Sequence, residues 1–170
     1  SLERVKEYFR QFGMENRIRE FSASTETVGL AALAIGCEPG RIAKTMAFFV
    51  GDRPILIAAA GDAKISNAKF REQFHAKAKM IPFELVEQAV GHKVGGVCPF
   101  AVNEETDVYL DLSLRRFESV FPAAGSDNIF IKIALISFAG SENSAIELTI
   151  AELERYARAI GWVDVCKDRE

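Results

Sequence analysis

The sequence predicts a single α+β domain built on a mixed sheet. Short β-type runs outnumber helical stripes, the two alternate irregularly, and no linker, repeat or low-complexity segment divides the 170 residues. Hydrophobic residues make up 49%, enough to build a sizeable core.

The elements follow in order. Val5, Tyr8, Phe9 and Phe12 recur at helical spacing, giving a first helix that Gly13 ends. Residues 17–21 read as a short strand. Ser24 suits the cap of a second helix carrying Val28, Ala31, Ala32 and Ile35, which Gly36 and the Pro39-Gly40 turn stop. Strands over 44–50 and 55–60 flank Gly51-Asp52-Arg53-Pro54, a hairpin signal. Residues 67–74 look helical and 78–81 strand-like, and Pro82 opens a helix running to about residue 90. After the loop GHKVGGVCPF come strands over 108–110, 119–121, 129–135 and 145–148, with 137–144 as a turn or excursion. Thr149-Ile150-Ala151-Glu152 is a capping box for a last helix bearing Ile150, Leu153, Ala157 and Ile160. The domain is expected to span 1–162, with 163–170 a frayed tail.

Charge and cysteine usage narrow the function classes. The net charge of −3 carries no global positive field, so no DNA partner is expected. No apolar run approaches the ~20 residues that span a bilayer, so no membrane partner is expected. The opening segment is charged and amphipathic, without an apolar signal core, which makes a cytoplasmic location the expectation. Cys37, Cys98 and Cys166 are far apart, and only His75 and His92 accompany them. Neither a disulfide framework nor a metal site is expected.

Lys44 is the cation that stands out, at the entrance of the apolar run Met46 to Val50. Strand alternation puts it on one face with Ile42, Met46 and Phe48. It either snorkels to water or points into an apolar-floored pocket, placed for an anion or a polarised carbonyl. Gly95-Gly96-Val97-Cys98-Pro99 is either a tight connection or a loop offering backbone N–H groups to a carbonyl or phosphate. It matches neither a dinucleotide fingerprint nor a P-loop. The stretch 123–128 reads as a turn. Cys98 with His92 could form a thiol nucleophile and its base, but no third partner can be named, and Cys98 between Val97 and Pro99 reads rather as loop packing. Lys64, Lys69, Arg71, Lys77 and Lys79 make a locally basic segment, either an ordinary charged face or a phosphate contact.

Taken together, four segments resemble the YbaK/prolyl-tRNA synthetase-associated editing domains. PGRIAKTMAFF resembles their lysine-bearing strand, and GDRPILIAAAGDAKIS the next strand and turn. GGVCPF resembles their GxxxP loop, with Gly95 and Pro99 as its ends, and AAGSDNIFIKI a late glycine turn. The resemblance implies a strongly curved mixed sheet, or partial barrel, flanked by helices. It implies trans-acting hydrolysis of the ester joining a wrong, small amino acid to tRNA, commonly tRNA for proline, without metal or cofactor. The alternative is a non-catalytic tRNA- or nucleotide-binding module of the same fold. By the same resemblance Lys44 is catalytic, and Phe21, Thr45, Gly95, Gly96, Val97, Cys98, Pro99, Ser126 and Asp127 bind substrate. The implied partners are the acceptor end of an aminoacyl-tRNA and a synthetase or elongation factor. Ala123, Ala124 and Phe130 stand near places where cysteine-specific members carry a serine and an acidic residue.

Overall fold

A computed structural model describes residues 2–21, 27–123 and 143–169. The protein is α+β, with a curled six-stranded half-barrel sheet in the order β7-β5-β2-β3-β4-β8 and a separate two-stranded pair, β1-β6. The strands are β1 Ile18–Phe21, β2 Ile42–Val50, β3 Arg53–Ala60, β4 Asp107–Asp111, β5 Ser119–Pro122, β6 Asn143–Ile146, β7 Leu148–Thr149 and β8 Gly161–Val163. The helices are α1 Leu2–Arg10, α2 Val28–Ile35, α3 Asn67–Phe74, α4 Phe83–Val90 and α5 Ile150–Tyr156.

The antiparallel hairpin β2-β3 is the centre of the sheet. β3 is buried from Pro54 to Ala60, and its alternate residues enter different cores. Leu56 and Ala58 join the main core; Ile55 and Ile57 join a second cluster with Phe48, Phe70 and Val165. Two-sided burial explains why β3 reads as a continuous apolar run. α1 closes the main core through Val5 and Phe9, with the Phe9 ring edge-on to Phe100 at 4.9 Å.

Side-chain caps set several helix boundaries, the predicted Thr149 box among them. Ser66 Oγ accepts from Lys69 N at the start of α3. Thr149 and Glu152 form the reciprocal capping box of α5. α2 differs: Thr27 caps it, accepting from Leu30 N at 3.1 Å, and Gly36 ends it at φ 83°. The expected cap Ser24 and strand 129–135 lie outside the described residues. Pro82 is the residue before α4 rather than its first, and α5 stops at Tyr156, leaving Ile160 exposed. The expected strand 78–81 is reduced to one antiparallel bridge between Met80 and Phe48. Asn143 and Ser144, expected in a turn, are strand residues of β6.

The expected frayed end after Trp162 is instead packed. Val163 belongs to β8, while Val165 and Cys166 are buried. The buried Asp111 carboxylate accepts from Val165 N at 2.9 Å and Ser113 N at 2.8 Å. Ser66 N donates to Val165 O and Lys167 N to Lys64 O, both at 2.8 Å. Lys69 bonds Asp164 at 2.9 Å and Asp168 at 2.7 Å. The final residues therefore brace the segment just after β3, on which the candidate site depends.

Candidate active site

Among the described residues, the outer edge of β2 is paired only in part. At its start, Ile42 and Ala43 pair in parallel with Phe121 and Pro122 of β5. Near its end, Ala47 O accepts from Ile81 N and Phe49 N donates to Lys79 O, both at 3.0 Å. Between these pairings, no strand among the described residues covers Lys44, Thr45 or Met46 on that edge. Ala47 and Phe49 turn their backbone groups outward, so alternation turns the N–H and C=O of Thr45 outward too, into the gap.

A cavity of about 490 Å³ occupies this gap. α2 forms one wall through Val28, Ala31 and Ile35; Met80, Phe83 and Val86 form another. Val94, Gly95 and Val97 close a third side, and Phe121, Ala123, Ser144 and Ala145 the last. The walls are mostly apolar, so the polar groups reaching them have weight. α2 is apolar on nearly every position because it both covers this cavity and leaves Leu30 and Leu33 exposed.

Lys44 lies at the edge gap, half-buried. Its Nζ donates to Ala63 O and, at 3.4 Å, to Gly61 O. Among the described residues no carboxylate forms an ion pair with it. Burial lowers its pKa below the ordinary 10.5, partly offset by the nearby Cys166 and Asp62. The turn that anchors Lys44 is tightly built. A methyl on Gly61 would stand 2.2 Å from Pro39 O and 2.9 Å from Ile42 O. Asp62, in the same turn, pairs with Arg116 at 2.5 Å. The result is an ammonium held by two neutral carbonyls, without an ion pair among the described residues, beside an apolar cavity. That arrangement suits a transient or ligand-borne negative charge.

The remaining predicted residues divide. Thr45, Gly95 and Val97 line the cavity with Lys44. Gly95 takes φ 93°, a conformation that favours glycine. Gly96, Cys98 and Pro99 do not line it. Cys98 is fully buried, with Sγ 3.5 Å from His92 Nε2 and 3.8 Å from Phe100 O. Burial pushes its thiol up to about 12, and His92 Nε2 lies 2.6 Å from Phe100 O. This pair is core packing under the loop: a thiol with that pKa supplies almost no thiolate at neutral pH. Phe21 ends β1, paired with Asn143. Ser126 and Asp127 lie outside the described residues. Among the described residues no group of three or more His, Cys, Asp or Glu could hold a metal, and no helix is long and apolar enough to cross a membrane.

Sequence reasoning missed Ser144, which is buried and lines the cavity. Its only sequence signal is alternation with Ile146, obscured by the neighbouring Gly, Ser and Asn.

Residues 22–138 match the aminoacyl-tRNA editing domain family. The chain belongs to that family. It is 48% identical over 172 residues to YwhH of Bacillus subtilis (strain 168), an uncharacterized protein, covering all of this chain and 99% of that one. The fold is also that of a crystallised protein described as a candidate trans-editing enzyme for prolyl tRNA synthetase. That structure has a TM-score of 0.80 at 24% identity, over 98% of this chain and 97% of that one. A second crystal structure, of the hypothetical protein APE2540, has a TM-score of 0.69 at 21% identity, over 92% and 98% of the two chains. The editing-domain match takes in β2, its gap and the 91–101 loop, so family membership and the cavity coincide in the chain.

Proposed function

We propose that this chain is a trans-acting deacylase that hydrolyses the ester of a mischarged aminoacyl-tRNA. The observation that carries the reading is the half-buried Lys44 ammonium, without an ion pair among the described residues, beside an apolar cavity in an editing-family domain. The trans-editing description of the structural neighbour supports the same role.

In this reading the aminoacyl group enters the cavity, and the terminal ribose and phosphate stay near its mouth. Water attacks the ester carbonyl carbon. The bond to the ribose oxygen breaks, that oxygen takes a proton, and free amino acid and tRNA leave. Lys44 stabilises negative charge at the ester or the terminal phosphate. Backbone N–H groups of Thr45 and the 94–97 loop orient the ester. No protein nucleophile is required, because an activated ester needs mainly positioning and charge stabilisation. The exposed Lys77 and Lys79, next to the cavity-lining Met80, are placed for acceptor-stem phosphates. Lys69 is committed to Asp164 and Asp168. No metal or cofactor enters this scheme.

The test is a panel of alanyl-, cysteinyl-, seryl- and threonyl-tRNA incubated with the protein. At least one should lose its amino acid faster than the blank. Binding of tRNA without turnover of any member would overturn the deacylase reading and mark a binding module instead.

A further inference from the structure

The turn whose carbonyls hold Lys44 is tied at both ends by the backbone and in its middle by a side chain. Before it, Ala60 N donates to Ser113 Oγ at 3.0 Å. After it, Lys167 N donates to Lys64 O and Ser66 N to Val165 O, both at 2.8 Å. Asp62 stands between Gly61 and Ala63, the two residues whose oxygens take the ammonium. Asp62 Oδ1 accepts from Arg116 Nη2 at 2.5 Å. Arg169 approaches Asp62 only to 4.0 Å, and its side chain is exposed.

Arg116 is aimed by its own surroundings. It ends the 3₁₀ turn Leu112–Arg116, in which Leu114 is fully buried in the main core. Its guanidinium lies over the Phe117 ring, 4.8 Å from the centroid. Its Nε is buried without a partner, so the Nη2 bond directs the group.

The same pair reaches the strand that carries Lys44. A methyl on Gly40 would stand 2.8 Å from Arg116 Nη2 and 3.2 Å from Asp62 Oδ2. Gly40 O accepts from Gly61 N at 3.3 Å, and β2 begins two residues later at Ile42. One ion pair therefore abuts both the entry of β2, which sets the Lys44 backbone, and the turn that sets its ammonium. A partly exposed pair adds little to stability; what it fixes here is position.

We propose that Arg116, acting through Asp62, is a positioning residue for Lys44: the pair holds the 61–63 turn against Gly40 and so sets where the ammonium stands beside the cavity. Its effect on rate rests on the deacylase reading above; its effect on the ammonium does not.

The rival account is charge alone, since Asp62, Cys166 and Lys64 all act electrostatically on Lys44. Two substitutions separate them. Arg116→Met keeps an apolar stem over Phe117 and leaves the Asp62 carboxylate unpaired; Asp62→Ala removes that carboxylate. They change the charge near Lys44 in opposite directions, so a purely electrostatic influence moves the rate in opposite directions. Lost positioning slows both.

The experiment measures single-turnover deacylation, tRNA affinity and Tm for each variant, alone and combined with Lys44→Met. ¹⁵N–¹H correlation spectra of the lysine ammonium groups accompany it, with the Lys44 signal identified by its loss in Lys44→Met. Both single variants should slow the rate about 10- to 100-fold, keep tRNA affinity within about twofold and move Tm by no more than about 4 °C. Neither should slow Lys44→Met further, because a residue that acts only through Lys44 is not additive with its loss. The Lys44 ammonium signal should shift or broaden in both. Rates that move in opposite directions, equal slowing of the Lys44→Met protein, or an unchanged Lys44 signal would overturn the assignment. If the parent cleaves no ester yet the Lys44 signal moves in both variants, the deacylase reading fails and the positioning role stands.

Discussion

Replacing Gly61 by alanine tests how the fold holds its central cation. The added methyl would sit 2.2 Å from Pro39 O, 2.6 Å from Val28 Cγ1 and 2.9 Å from Ile42 O, whereas ordinary contact begins at 3.4 Å. Two of these neighbours are backbone oxygens, so no rotamer change relieves the overlap. The turn, the start of β2 or the 39–41 segment must shift. Overpacking of this kind costs about 2–3 kcal/mol, or roughly 5–10 °C in Tm for a chain of this size. Gly61 O and Ala63 O are the two carbonyls that hold Lys44. A displacement near 1 Å there should cost about 10²-fold in deacylation even where the protein is fully folded. The assay pairs thermal melting with single-turnover deacylation well below the variant's Tm. Gly51→Ala is the control: φ is 61° but nothing lies within 4 Å, so it should cost about 1 kcal/mol and leave the rate alone. A Gly61→Ala protein with parental Tm would refute the packing reasoning. Reduced Tm with a parental rate would refute the claim that this turn positions Lys44.

Other perturbations address separate parts of the molecule. Cys98→Ala should keep its deacylation rate, because the buried thiol near 12 provides no nucleophile; a hundredfold loss in a folded protein would reinstate the thiol. Asp111→Asn should lower stability by about 2–4 kcal/mol and speed hydrogen exchange at Val165 N, whose acceptor is the Asp111 carboxylate. Parental exchange there would show that this carboxylate does not pin the C-terminal segment. Glu152 is held down to about 2 by its hydrogen bond from Arg17, against an ordinary 4.5. Its contribution is therefore present above pH 4.5 and lost as pH falls towards 2. Arg17→Ala should flatten the fall in Tm across that interval, and an unchanged slope would remove the pair from acid stability.

Much of the fold was legible because the determining signals are local. Thr149 is a helix cap readable three residues at a time, and the apolar runs around Gly51 announce the central hairpin. Alternation left Lys44 open between snorkelling to water and facing a pocket, and it was the family resemblance that favoured the pocket, whose wall Lys44 joins. Long-range features were not. Thr27 begins α2 because its hydroxyl reaches Leu30 N, yet Ser24 carries the same chemistry in sequence. The packed end of the chain depends on Asp111, more than fifty residues before Val165. Cys98 between Val97 and Pro99 read as loop packing, and the loop does turn that side chain inward, but its partners His92 and Phe100 are set by the fold. Among the described residues the cavity lies beside β2 between two distant pairings: β5 covers two residues of β2, and the 79–81 segment covers its far end. No short-range pattern encodes such an arrangement, so Ser144, which lines the cavity from a distant strand, carried no signal.

The most direct measurement is the single-turnover deacylation rate of Lys44→Met beside the parent, on whichever mischarged tRNA the parent cleaves. Methionine keeps the stem's packing and removes the charge. A fall of 10²–10³-fold, the usual loss for one charge-stabilising donor, with folding and tRNA binding retained, is the expected result. A rate within threefold of the parent would contradict the assignment of the β2 edge gap as the place where the ester is cleaved.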